Sequence, residues 1–369
     1  MTTDFKLSAE SEPPRLGKLS KLARFGLLGA ALTVAAGTFA YFGGWFIRDD
    51  LTPARFVDGF EQVNGVHAGF RRNHAKGMGV FGFFDSNGNG VRLSQAVIFQ
   101  PGRVQVIGRF SLGGGHPDVS DKPDAVRGLA LQFSLPNGEL WRTAMINFPV
   151  FPFRTPEAFY EQLIASKPDP NTGKHDPGKM EEFLASHPET VQALTVIKGQ
   201  PSSSGFDNST FHSSNAFRFI NSAGDSIPVR WIMTPMQPFE SANNASIPQD
   251  KNYLFNALIA QIHRQPLRWR LIIVIGQPGD PTNDATIPWP AEREQVVVGT
   301  LTLDRVESDD TSAATDLNFD PLVLPVGIAP SDDPLLSARS AVYSQSFTRR
   351  AGETKQPSAI RPSDVRKGE

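Results

Sequence analysis

"RRNHAKGMGVFGFF", residues 71–84, sets three cations and a histidine in front of a glycine-spaced aromatic run. Three chemistries use such a composition: a phosphate cradle, a nucleic-acid patch, or a histidine base held in a positive field. The "GMGVFG" portion (77–82) fits G-x-G-x-x-G. A dinucleotide turn, however, needs a strand before it and a helix after it. Here a charged segment precedes and an aromatic one follows, so the phosphate reading lacks its context. The chain of 369 residues carries 36 basic and 38 acidic side chains, a net charge of −2. No global field therefore recruits nucleic acid. What remains is His74: Arg71, Arg72 and Lys76 disfavour its protonated form and keep it a neutral base at physiological pH. The sequence gives Arg72 and Lys76 no further task, and they read as solvated charges.

A chain of this length with 39% hydrophobic residues can bury a sizeable core. It has no cysteine, which excludes disulfides, thiolate catalysis and cysteine-held metals. At the N-terminus, Arg15, Lys18, Lys21 and Arg24 precede an uncharged run from Phe25 to Ile47. That run is long enough for a bilayer, since about 20 apolar residues suffice. The cations before it place the N-terminus in the cytoplasm and the main domain outside. Small residues Thr38 and Ala40 also make a cleaved export signal a workable alternative. The expected organisation is a cytoplasmic tail (1–24), a transmembrane anchor or export signal (25–47), a main domain (52–353) and a polar tail (354–369).

Within the main domain, Thr52-Pro53 opens a short helix with Phe56, Phe60 and Val63 at helical spacing. Strand-like runs follow at 95–100, 103–112, 128–135 and 139–147, separated by Pro-Gly and Asn-Gly turns. Helical periodicity takes over at 155–166 and 178–199, and a Ser/Asn-rich loop covers 199–210. Four more strands are expected at 215–221, 226–235, 266–276 and 292–306, with a helix at Tyr253 to Arg264. Two sets of four strands fit one closed eight-stranded antiparallel barrel, an α+β fold without sheet edges. The segment 307–337 is rich in Asp, Pro and Ser and reads as an irregular connection to "SARSAVYSQSFTRRAGE" (337–353).

"DSNGNG" (85–90) matches the start of a calcium loop, but Ala96 stands where the twelfth-position Glu is required, so it reads as a surface turn. Seven histidines form no pair at metal-ligand spacing. Six read as structural. His74 lacks an adjacent nucleophile, which points to a base that acts on a bound cofactor or small substrate. Near the other end, Arg339 and Tyr343 are four apart and share a helix face. A phenol binds Fe(III) well as phenolate, and a permanently charged arginine favours that anion. Tyrosine is the proximal haem ligand of catalases.

With these residues assembled, the chain resembles the haem catalase family, and more closely its short branch, the catalase-related peroxidases, from about Gly65 to Gly352. "RRNHAKGMGVFGFF" is similar to the family's distal segment, which implies His74 as the catalytic histidine and Arg71 as a contact to a haem propionate. "GRFSL" (108–112) resembles the next block and carries over Arg109 as a second propionate contact and Ser111 as the serine bonded to the histidine. "VRGLALQF" (126–133) looks like the following barrel strand. "INFPVFPFRTPEAF" (146–159) is similar to the block with the distal asparagine and a haem-stacking phenylalanine, so Phe159 takes the stacking role. An ungapped match puts Ile146 at the amide and Asn147 one place later. Asn147 is the expected distal amide after a one-residue shift; otherwise that donor is missing. "RSAVYSQSFTRR" (339–350) looks like the proximal segment, with Tyr343 as axial ligand, Arg339 as its partner and Arg350 as a third propionate contact. Asn215 departs from the pattern of large catalases, which carry histidine there.

The resemblance implies a b-type haem, hydrogen peroxide as substrate and a small organic electron donor, with no nucleic-acid partner. The expected function is peroxidase activity on hydrogen peroxide and organic hydroperoxides, with weak catalase activity. Only 26 residues follow Tyr343, so a more open haem edge is expected, which favours organic donors. Two alternatives stay open: allene oxide synthase-like rearrangement of fatty-acid hydroperoxides, and haem binding without turnover. The expected location is the outer face of a membrane, through the N-terminal segment, or free in an exported state. The sequence assigns no oligomeric state.

Overall fold

The computed structural model describes residues 29, 30, 32–34, 38, 50–242 and 248–365. The apolar run 25–47, expected as an anchor, lies almost wholly outside them. Among the described residues no helix is long and apolar enough to cross a membrane. The main body begins at Thr52.

Thr52 accepts a bond from the Arg55 N–H and Pro53 takes the first turn, opening α1 (Pro53–Asn64). Among the described residues ten strands follow: β1 (Gly77–Ser86), β2 (Gly102–Leu112), β3 (Arg127–Ser134), β4 (Leu140–Ile146), β5 (Phe211–His212), β6 (Phe217–Ile220), β7 (Ser226–Pro235), β8 (Leu267–Ile275), β9 (Gln295–Ser308) and β10 (Ile328–Pro330). All pair antiparallel. The order β7-β5-β4-β3-β2-β1-β9-β8 closes on itself through a β7–β8 ladder, so eight strands form a barrel without edges. Alternation fills its interior: on β8, Leu267, Trp269 and Leu271 are buried while Arg268 and Arg270 face out. Trp141, Trp231, Phe84, Phe110 and Phe133 complete the core.

The barrel has the expected eight strands, but two of the segments assigned to it are corrected. Residues 95–100 form a 3₁₀ turn, Val97–Phe99, closed by the Phe99 N–H on the Ala96 carbonyl at 3.0 Å; the turn buries Ile98 and Phe99. The strand in its place is β1, which contains the opening glycines. A Cβ on Gly82 would meet the Thr302 carbonyl at 1.9 Å, so that glycine serves close strand approach. The 215–221 segment lies outside the ring: β6 pairs only with β7 and β10, and the two-residue β5 joins β4 to β7.

Five more helices among the described residues follow the same local logic. Residues 155–166 give α2 (Pro156–Ala165), capped by Thr155. The helix expected at 178–199 is broken by Pro188 into α3 (Pro177–Ser186) and α4 (Pro188–Lys198). The helix expected at Tyr253 is α5 (Tyr253–Arg264). The last helix, α6 (Pro334–Ala351), starts earlier than expected because Asp333 caps it, accepting from the Leu335 N–H at 2.9 Å. The segment after 353 is not merely polar: Ile360 is buried in the main core, and its carbonyl accepts from Ser308 Oγ at 2.8 Å.

Lys76 and Arg72 are not solvated. Lys76 donates to Asp121 at 2.6 Å, both side chains fully enclosed, and also to the carbonyls of Val119 and Lys251. The other Asp121 oxygen accepts from the Leu254 N–H at 2.8 Å, tying this pair to the start of α5. Arg72 pairs with Glu61 of α1 at 2.7 Å and with Glu353 just past α6. Removing one partner of a buried pair strands the other charge. Asp121→Ala is therefore expected to lower unfolding free energy by about 3–5 kcal/mol, read from denaturant midpoints; a change no larger than that of a surface substitution contradicts this account of Lys76.

Candidate active site

A cavity with an empty volume of about 1310 Å³, its mouth to solvent included, lies between the barrel wall and α6. His74 reaches it from the segment just before β1. The residue sits in the left-handed region, φ 57, a conformation that costs a non-glycine residue energy and persists where neighbours enforce it. The Asn73 side chain accepts from the His74 N–H at 2.9 Å and from the Gly114 N–H at 2.8 Å. Arg109 donates to the His74 and Ala75 carbonyls at 2.9 and 3.0 Å. Two positions along β2, on the same face as Arg109, Ser111 Oγ lies 3.1 Å from His74 Nδ1. Gly128 of β3 packs beside them: a Cβ there would stand 2.8 Å from Ser111 Oγ and 3.2 Å from His74 Nδ1.

Burial, then the charges of Arg109, Arg339 and Arg71, lower the His74 pKa to about 4. The neutral ring expected from the sequence is present, with a changed cause: Arg72 and Lys76 are spent in their own ion pairs. Three guanidiniums gather at this site. Arg71 donates to the Ala314 and Leu317 carbonyls at 3.0 Å each, and Arg350 donates to the Thr315 carbonyl at 2.6 Å. Arg109 pairs with Asp309 at 2.5 Å. Although burial pushes the other way, Arg109, Arg71 and Arg350 hold the Asp309 carboxyl below the usual range. Burial and then Arg109 and Arg350 push Arg71 well below an ordinary arginine, and burial with Arg109 lowers Arg350 to about 10. Three cations face one carboxylate.

The opposite partner comes from α6. Residues 335, 339, 342, 343, 346, 347 and 350 repeat at helical spacing, and this stripe lines the cavity with Arg339, Tyr343 and Arg350. Arg339 donates to the Ala144 carbonyl at 3.1 Å and to the Asn215 amide oxygen. Phe159 of α2 lines the same cavity, stacked on Phe153 at 4.9 Å and edge-on to Phe56 and Phe60 of α1.

Of the residues singled out from the sequence, His74, Ser111, Arg71, Arg109, Phe159, Arg339, Tyr343 and Arg350 all line this one cavity. Asn147 does not, and its expected place as distal amide is corrected. At the end of β4 its Oδ1 accepts from the Arg127 N–H at 2.8 Å, completing the ladder to β3, and Ile146 takes the cavity position. Period-two alternation sends neighbouring side chains to opposite faces, so a one-residue shift could not bring the amide in. Asp309 and Ser214 were missed. No local spacing marks them; Asp309 meets Arg109 only because the chain returns beside it, and Ser214 reaches the cavity through a left-handed backbone turn.

A model of the family described as Catalase matches residues 51–361. The chain belongs to the catalase family. It is 38% identical to a catalase-related peroxidase of Synechococcus elongatus over 83% of this chain and 90% of that one. A catalase-related peroxidase of Mycolicibacterium paratuberculosis is 31% identical over 82% of this chain and 96% of its own length. A fungal catalase crystal structure superposes with a TM-score of 0.71 at 22% identity, over 78% of this chain and 60% of the fungal one, which carries the fold. The chain is accordingly an oxidoreductase of the catalase-related branch that acts on peroxide, in a family that depends on haem.

The buried histidines set a pH dependence of stability. His74 and, through burial and Arg230, His212 have pKa values of about 4, against 6.5 when unperturbed. The unfolded chain thus holds more protons between these values, and folding stability is lost as pH falls through that window. Urea midpoints of the apoprotein should decline between about pH 7 and about pH 5; a midpoint that stays flat contradicts the burial of these rings as neutral bases.

Proposed function

We propose that the chain is a haem-dependent peroxidase that reduces hydrogen peroxide and organic hydroperoxides with a small organic donor, with weaker catalase activity. The carrying observation is the shared cavity of a neutral base, His74, and a phenol preceded by an arginine, Tyr343 and Arg339. The residues fit haem on their own chemistry. Three guanidiniums against one buried carboxylate leave two positive charges for a ligand with two carboxylates. Phe56, Phe60 and Phe159 supply apolar walls for a planar ring. Tyr343 would hold the iron as phenolate, and Arg71, Arg109 and Arg350 would face the propionates. Bound there, haem supplies the redox centre through which the donor's electrons reach peroxide.

The chain's own residues manage the protons. Ser111 engages His74 Nδ1 and fixes the ring, which leaves Nε2 for the substrate. A ring that is neutral above about pH 4 accepts the proton of one peroxide oxygen and returns it to the other, so that oxygen departs as water or alcohol. Two electrons from the donor and two protons balance the conversion of a hydroperoxide to water and alcohol. Ile146 and Phe151 line the cavity in place of a distal amide, which supports apolar hydroperoxides beside hydrogen peroxide. The cationic flank and uncharged run 25–47 support anchoring of the domain at the outer face of a membrane.

His74→Ala is expected to lower kcat/KM for hydrogen peroxide by about 10²–10⁴-fold, followed with a chromogenic aromatic donor, while haem uptake is retained. For the unmutated chain the same parameter should stay level down to about pH 5 and fall as the ring protonates near pH 4. An active His74→Ala variant removes the acid–base role. Consumption of a fatty-acid hydroperoxide without any donor would instead indicate rearrangement.

A further inference from the structure

The chain after α6 turns back over the arginine cluster. Just beyond the helix, Glu353 accepts from the Gly69 N–H at 2.7 Å and from Arg72 Nη1 at 2.9 Å, and its other oxygen accepts from Arg72 Nη2. Gly69 and Arg72 flank Arg71, so one carboxylate grips the segment that carries a cluster arginine and leads into His74. Gly69 is where the two segments come closest. Its φ is 80, and a Cβ there would stand 2.8 Å from Lys355 Cα and 3.0 Å from the Thr354 carbonyl oxygen.

Beyond this crossing, residues 354–357 are exposed and form no helix or strand. Lys355 pairs with Asp316 at 2.7 Å, but both side chains stand in solvent and the pair holds weakly. The tail is fixed again at 358–360. Ser358 and Ile360 are buried, the Ala359 carbonyl accepts from Asn252 Nδ2 at 3.1 Å, and the Ile360 carbonyl accepts from Ser308 Oγ at 2.8 Å. A stretch with so few buried contacts, held at its two ends, opens locally more readily than the fold unfolds.

Under the tail lies a smaller cavity, with an empty volume of about 300 Å³, its opening to solvent included. Gly69, Phe70, Lys355 and Gln356 form part of its wall, and Arg71 and Arg109 line both this cavity and the large one. On this side the tail stands between solvent and two guanidiniums. A flat apolar ring with two carboxylates enters most easily with its apolar edge leading, because its carboxylates then stay in water until they meet cations. Such a ligand loads from the arginine end.

We infer that residues 353–360 are a strap that opens to pass haem into and out of the large cavity, with Glu353 as its latch and Asn252 as its far anchor. This rests on the proposal that the arginine cluster faces haem propionates. Arg72 holds the Glu353 carboxyl below the usual carboxylate range, so the latch stays charged at neutral pH. A strap limits entry and exit alike: loosening it raises both rates by one factor and leaves the affinity level. A residue that only shapes the bound state changes release alone.

The test uses the full chain and follows the Soret band in both directions: haem uptake by the apoprotein, and haem transfer from the loaded chain to an excess of a haem-scavenging apoprotein. Glu353→Ala removes a charge-assisted contact and is expected to speed uptake and release each by about 10–100-fold, with the dissociation constant level. Glu353→Gln keeps an acceptor oxygen without the charge and should fall between that variant and the unmutated chain. Asn252 lines neither cavity, so Asn252→Ala answers the same question should Glu353→Ala fold poorly. Having lost one neutral bond, it is expected to raise both rates by about 2–10-fold. Release that quickens while uptake does not overturns the inference, as do unaltered rates in both alanine variants. Should the unmutated chain take up no haem, the proposed function fails first and this inference with it; stoichiometric uptake with rates indifferent to Glu353→Ala and Asn252→Ala removes the strap alone.

Discussion

Three guanidiniums meet one carboxylate beside the cavity, with Arg109, Arg350 and Asp309 buried and Arg71 half-buried, and the surrounding architecture follows from that imbalance. Burying an uncompensated cation is costly unless acceptors surround it. The chain supplies them by folding the segment after β9 back over the site, so the carbonyls of Ala314, Thr315 and Leu317 face Arg71 and Arg350. Asp309 takes Arg109, and Arg109 in turn clamps the carbonyls of His74 and Ala75. Arg109 thus ties the buried carboxylate to the strained backbone of the catalytic candidate. Residual positive charge also helps keep the His74 ring neutral.

Around this cluster, two periodicities do the positioning. Period two on β2 places Arg109 and Ser111 on one face, so a single strand holds both the carbonyl and the ring nitrogen of His74. Helical spacing on α6 places Arg339, Tyr343 and Arg350 along one stripe. Ion pairs then lock the helix against the distal segment: Arg72 joins Glu61 to Glu353, and Arg349 joins Glu61 to Asp58. The outer helices contribute an aromatic wall in which Phe159 contacts Phe56, Phe60 and Phe153.

The sequence was legible where a local rule decides and obscure where distant segments meet. Thr52-Pro53 and the stripe at Arg339 and Tyr343 announced their helices, and alternation announced most of the barrel. β1 was hidden by its glycines, whose purpose is close approach to β9, and residues 95–100 are apolar because a turn buries them. Lys76 and Arg72 looked like surface charges because their partners, Asp121, Glu61 and Glu353, lie far away or in another element. Asn147 failed for a stereochemical reason: neighbours on a strand face opposite ways, so Ile146 and Asn147 cannot exchange places without shifting the register of β4. Asp309 and Asp333 sat unremarked in a stretch that reads as irregular, since only the closed fold brings them to Arg109 and Asn215.

The central claim is that Tyr343 and the arginine cluster make one binding site for haem, facing a neutral His74. Its most direct measurement is a titration of the purified apoprotein with haem, followed by the Soret band, for the unmutated chain and for Tyr343→Phe. The account predicts saturation at one haem per chain, with binding and spectrum both lost or strongly altered in Tyr343→Phe. Absence of stoichiometric uptake, or a titration unchanged by Tyr343→Phe, would contradict it.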